Sequence, residues 1–118
     1  MQRVLLVLDS EDLAAILCKE LSSYYKVEIC DAAAAVDIID HYRPEALIMD
    51  LFLSGTDGFH ILQNSTYRIP SIILLTVLHS TDIINHAAEL KVNYIFLKPF
   101  KLSVLTKRLY ELLPVEIK

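Results

Sequence analysis

Ala46-Leu47-Ile48-Met49-Asp50-Leu51-Phe52-Leu53-Ser54-Gly55-Thr56-Asp57-Gly58 couples an unbroken apolar run to a carboxylate and then, at once, to a glycine-bearing turn. A short apolar run bounded by turn residues is the pattern of a strand buried on both faces, as in a parallel sheet. Two more apolar runs end in the same manner. Ser71 to Leu75, opened by Pro70, is followed by Thr76, and Val92 to Leu97 is followed by Lys98-Pro99-Phe100. A carboxylate, a hydroxyl and an ammonium group therefore each close a buried strand, which is the equipment of an aspartate that accepts a phosphoryl group.

The rest of the chain repeats this rhythm. Val4 to Leu8 reads as a buried strand, and Ser10 as the N-cap of a helix with Leu13, Ile16, Leu17, Leu21 and Tyr24 at helical spacing. Lys26 to Cys30 alternates like a strand nearer an edge. Asp31 is placed to cap a helix running to about His41, which Pro44 keeps from continuing. Asp57-Gly58 starts a short helix carrying Phe59, Ile61 and Leu62. Ser80 or Thr81 caps another, with Ile83, Ile84, Ala87, Ala88 and Leu90. A last helix carries Leu102, Val104, Leu105, Leu109, Leu112 and Leu113 and stops at Pro114. The connections are too short and too helical for hairpins, so the pattern predicts an α/β fold: one doubly wound (βα)5 domain with helices on both faces of a parallel sheet. In such sheets ligands bind beyond the carboxyl ends of the strands. Asp9, Asp50, Thr76 and Lys98 all follow strands at that end and are predicted to meet on one rim.

Composition narrows the function. The 118 residues are 54% hydrophobic, enough for one domain, 1–118, with a proper core. A formal net charge of -4 argues against nucleic-acid binding by this domain's own surface and suits an acidic pocket that attracts a divalent cation. Cys18 and Cys30 form no CxxC and no His-Cys cluster, and read as small core residues. His60, His79 and His86 have no metal-ligand spacing. No apolar segment reaches the roughly 18 residues of a membrane span, and Met1-Gln2-Arg3 leads straight into a strand, so the expected location is cytoplasmic. Asp31 and Asp57 read as turn or cap residues rather than as chemistry.

In order and placement, the acidic turn after the first strand, Asp50 with Asp57-Gly58, Thr76 and Lys98-Pro99-Phe100 resemble the receiver domain of two-component response regulators, over the whole chain. The resemblance implies a five-stranded parallel sheet in the order 2-1-3-4-5. It implies that Asp50 accepts a phosphoryl group from a phosphohistidine of a sensor histidine kinase or phosphotransfer protein. The domain would assist its own phosphorylation and dephosphorylation rather than act as an enzyme. Mg²⁺ would be held by Asp9, Asp50 and the backbone carbonyl of Phe52. Lys98 would pair with a phosphoryl oxygen, Thr76 would donate its hydroxyl to another, and a cis bond before Pro99 would aim the lysine. The face made by the fourth helix, fifth strand and fifth helix is the implied output or homodimer surface.

Three departures from that family stand out. Leu8 occupies the place of the first of two adjacent acids, which implies weaker Mg²⁺ binding. Ile95, flanked by Tyr94 and Phe96, stands where many receivers carry an aromatic switch residue. Phe52, Val77 and Leu78 are bulky and apolar near the phosphate position, so slow phosphorylation by small donors and a long-lived phosphorylated form are expected. Leu8 and Ile95 also support an alternative, a pseudo-receiver acting as a phosphorylation-independent interaction module. A flavin-binding or hydrolase domain of similar fold lacks its signals, a glycine-rich loop after the first strand or a Gly-x-Ser-x-Gly elbow. The segment Pro114-Val115-Glu116-Ile117-Lys118 leaves open a free-standing receiver or the front of a longer regulator.

Overall fold

Alternation along three central strands builds two cores, one on each side of a single sheet. The computed structural model describes residues 1–115; residues 116–118, on which the reading of a continuing chain partly rests, lie outside them. The strands are β1 (Arg3–Val7), β2 (Lys26–Cys30), β3 (Ala46–Asp50), β4 (Phe52–Leu53), β5 (Thr56–Asp57), β6 (Ser71–Thr76) and β7 (Tyr94–Leu97). The helices are α1 (Glu11–Leu21), α2 (Ala35–Tyr42), α3 (Gly58–Asn64), α4 (Thr81–Glu89) and α5 (Leu102–Leu112). Five strands pair in parallel in the order β2-β1-β3-β6-β7. Counting only these five, that is the expected 2-1-3-4-5 order. The short β4 and β5 form a separate antiparallel hairpin after Asp50 that the sequence pattern did not predict.

Val4, Leu6, Ala46, Ile48, Ile73 and Leu75 face α1 and α5, where Leu17, Leu21, Leu105 and Leu109 meet them. Leu5, Val7, Leu47, Met49, Ile72 and Leu74 face Ile39 of α2, Phe59 and Ile61 of α3 and Ala87 of α4. The residues alternate strictly because successive side chains leave a strand on opposite faces. Each fully buried aliphatic side chain contributes roughly 1.5–3 kcal/mol, so the central strands anchor the fold.

Helix boundaries follow local chemistry. Ser10 Oγ accepts from the Leu13 amide and Ser80 Oγ from the Ile83 amide, starting α1 and α4 as expected. Asp57 Oδ1 accepts from the His60 amide and starts α3. Asp31 behaves differently. It accepts from the Ala34 amide and caps a preceding turn, while α2 begins at Ala35 without a side-chain cap. Tyr24 lies beyond the end of α1 and is 45% exposed rather than on its buried face. β7 begins at Tyr94, not Val92, because Asn93 uses its amide on the Ile72 carbonyl and its side-chain oxygen on the Ile72 amide.

Candidate functional site

The ladder carries Asp50 and Lys98 to the same height. Beyond the strand ends, the Leu51 amide still donates to Leu75 and the Lys98 amide to Thr76, both at 2.8 Å. Asp50 and Lys98 thus flank the end of β6 from β3 and β7. The Lys98 ammonium nitrogen lies 2.6 Å from Asp50 Oδ1. Asp50 itself is 2% exposed, and the lysine engages Oδ1 as an ion pair, with no further donor to that oxygen among the described residues. The other oxygen, Oδ2, accepts from the Asp9 amide at 2.8 Å. The Lys98–Pro99 peptide bond is cis, as the resemblance implied.

Gly55 shapes the hairpin after Asp50, and Gly58 the start of the helix that follows it. Gly55 has φ +80°, in the region that favours glycine, at the tight turn between β4 and β5. A Cβ at Gly58 would stand 3.2 Å from the Asp50 backbone carbonyl oxygen and 3.1 Å from the Met49 methyl carbon, tight contacts that favour glycine where α3 starts against the end of β3.

Asp9 is exposed at the end of β1. Its carboxylate accepts from the Ser54 hydroxyl at 3.3 Å and from the Ser54 amide at 3.5 Å. Thr76 lies at the last position of β6, buried, with its hydroxyl occupied in the following loop: it donates to the Leu78 carbonyl at 2.9 Å and accepts from the Leu78 amide at 3.0 Å. The rim therefore joins Asp9, Asp50 and Lys98 by direct contact, while Thr76 is committed to its own loop. Phe52 is in β4, opposite Asp57, and is 47% exposed. Val77 and Leu78, in the loop after Thr76, are also exposed. A groove of about 490 Å³ runs beside Lys98 between Leu13 and Ile16 of α1 and Val77, Pro99, Phe100 and Leu102.

Leu8 is buried with the α1 and α5 core, so the side chain at position 8 brings no carboxylate to the rim. No group of three or more His, Cys, Asp or Glu is disposed to hold a metal among the described residues. Tyr94 and Phe96 pack toward α1 and α5, and Ile95 toward the opposite face, as alternation requires. Sequence reasoning missed Ser54. Its only local signal is its place in the turn four residues after Asp50, and the contact with Asp9 spans 45 positions.

A five-stranded parallel sheet with an aspartate and a lysine paired at its carboxyl rim defines a class of phosphoacceptor domain. The chain belongs to the response regulator receiver domain family, whose match spans residues 4–110. Sporulation initiation phosphotransferase F of Bacillus subtilis (strain 168) is 26% identical over 121 residues, covering 98% of each chain. The receiver domain of a sensor histidine kinase from Pseudomonas aeruginosa, solved with a magnesium ion coordinated in its active-site cleft, is 27% identical with a TM-score of 0.75 over 93% of this chain and 95% of that one. The non-phosphorylated HemR receiver domain from Leptospira biflexa shares the fold at a TM-score of 0.86 and 23% identity, over 100% of this chain and 98% of that one. The protein is thus a phosphoacceptor receiver domain of a two-component system. No helix among the described residues is long and apolar enough to cross a membrane.

Proposed function

We propose that Asp50 is the residue that accepts the phosphoryl group, with Lys98, Asp9 and Thr76 in supporting roles. The observation that carries this reading is the buried Asp50 carboxylate with the Lys98 ammonium 2.6 Å from Oδ1. An Asp50 oxygen attacks the phosphorus of a phosphohistidine. The O–P bond forms as the P–N bond breaks, and the imidazole leaves with the bonding pair and takes up a proton. Lys98 then moves its charge from the free carboxylate to a phosphoryl oxygen. Thr76 exchanges its bonds to Leu78 for one to the phosphate, a change that alters the loop leading into α4.

Asp9 and Asp50 are a sparse but fitting donor set for a hard divalent cation, since Mg²⁺ uses one or two carboxylates and keeps several waters. Asp9, Asp50 and the Phe52 carbonyl would hold Mg²⁺, which when bound neutralises the charge between the carboxylates and the phosphoryl oxygens. Leu8 removes one acid from this set, and weaker Mg²⁺ affinity than in a receiver with both acids follows from it. The apolar groove beside Lys98 suits a helical segment of a sensor histidine kinase or phosphotransfer protein carrying the phosphohistidine. The only reaction assisted is the domain's own phosphorylation and dephosphorylation. We assign residues 1–118 to one receiver domain of a cytoplasmic regulator, with α4, β7 and α5 as its output or homodimer face.

The test is incubation with Mg²⁺ and phosphoramidate followed by intact-mass measurement, beside Asp50→Asn. Gain of one phosphoryl group in the wild type and none in the variant is the expected result. Equal gain in both would remove Asp50 from this role. No gain in either, together with failure to bind beryllofluoride, would favour the phosphorylation-independent module that Leu8 and Ile95 suggest.

A further inference from the structure

We propose that Ser54 is a positioning residue for the cation site: it holds the Asp9 carboxylate in place and so offsets the acid missing at position 8. The inference rests on the reading of Asp9 and Asp50 as that site. Asp9 is tied in two places. Its backbone amide donates to Asp50 Oδ2, and its carboxylate is engaged by the Ser54 hydroxyl on Oδ2 and, more weakly, by the Ser54 amide on Oδ1. No other residue among those described donates to that carboxylate.

The need for such a tether is electrostatic. Asp9 is an exposed carboxylate whose backbone amide is held on Asp50, and hydration draws such a side chain toward water unless a partner holds it. Position 8 gives no help, because the Leu8 side chain is turned into the core against α1 and α5. The β4–β5 turn supplies the restraint instead. Leu53 pairs with Thr56, and the positive φ of Gly55 closes the turn, which brings both the hydroxyl and the amide of Ser54 onto Asp9. A hydroxyl that fills one lone-pair position of a carboxylate leaves the others for a cation, and outer partners of this kind orient metal-binding carboxylates.

Calorimetric titration of the full chain with Mg²⁺ alone tests the proposal in wild type, Ser54→Ala, Ser54→Thr and Asp9→Asn. Loss of the hydroxyl in Ser54→Ala is expected to weaken Mg²⁺ binding about tenfold. Ser54→Thr should stay within about threefold of wild type, because it keeps the donor that orients the carboxylate. Thermal midpoints measured in chelator should be the same for both variants and wild type, since both residues of the contact are exposed. Unchanged or tighter binding in Ser54→Ala, with binding lost in Asp9→Asn, would overturn the role of Ser54 alone. Binding unaffected by Asp9→Asn would overturn the cation-site reading and this inference with it.

Discussion

Asp50 is 2% exposed, and among the described residues Oδ1 faces the Lys98 ammonium and Oδ2 the Asp9 amide. Removing Lys98 strands a buried charge, a change that costs about 3–5 kcal/mol when both partners are buried. Lys98 is 31% exposed and its charge is partly screened, so Lys98→Ala is expected to cost about 1–2 kcal/mol in urea unfolding. Asp50→Asn combined with Lys98→Ala should recover most of that loss, because the amide needs no counter-charge. An additive double variant would show that the pair is not coupled. Phe52, two residues after Asp50, and Leu78, two after Thr76, are both exposed and carry no group that can orient a water for in-line attack. Replacing Phe52 by Asn should shorten the half-life of the phosphorylated form by about tenfold, a modest share of what positioning a reactant supplies. A half-life unchanged in a phosphate-release assay would discount this role for Phe52. The placement of Asp9, Asp50, Thr76 and Lys98 at strand ends was legible because each closes an apolar run. Ser54 was not, since a serine in a turn has the same sequence signal whether or not it touches an acid far along the chain.

The hairpin β4–β5 and helix α3 follow Asp50 in the chain, and Asp57 starts that helix through its bond to the His60 amide. Asp57→Ala should therefore cost about 1 kcal/mol, and Asp57→Asn only a few tenths, in equilibrium unfolding. Phosphoryl transfer should survive both, in keeping with Asp57 as a cap. The strands were readable almost to the residue, because buried parallel strands write themselves as continuous apolar runs: Ala46–Asp50 and Lys26–Cys30 begin and end where the pattern places them. Short-range polar bonds were harder to read. Asp31 has the composition of a helix cap but closes a turn first, and Asn93 spends its amide and side chain on Ile72 and so delays β7 by two residues. The β4–β5 hairpin escaped notice because two-residue strands have no periodicity to detect.

The buried Tyr25 and the half-buried Cys30 contribute to the fold's response to alkali, beside Tyr42, Tyr67 and Tyr110, whose hydroxyls burial also pushes up. The Tyr25 hydroxyl donates to the Leu113 carbonyl at 2.5 Å, and burial, with Tyr110 adding, pushes it from 10.0 to about 12. Burial also pushes the Cys30 thiol from 9.0 to about 11, with Asp31 and Glu28 adding to the effect. Both groups hold their protons more tightly folded than unfolded. Their stabilisation is complete below pH 9 and is lost as pH rises through 9–11 for Cys30 and 10–12 for Tyr25. Unfolding midpoints should be flat in these terms from pH 7 to 9 and then fall. Tyr25→Phe should cost about 1 kcal/mol at neutral pH and soften the decline above pH 10, and an unchanged decline would remove Tyr25 as its cause. For the rim to which the sheet brings Asp9, Asp50 and Lys98 the proposal is narrower: the carboxylate at position 50 is the one that accepts the phosphoryl group. After reaction with phosphoramidate and Mg²⁺, borohydride reduces an aspartyl phosphate to homoserine, and peptide mapping then locates the changed residue. Reduction at Asp50 and nowhere else is the predicted result. Reduction at another carboxylate, or a phosphoryl group that resists borohydride, would contradict it.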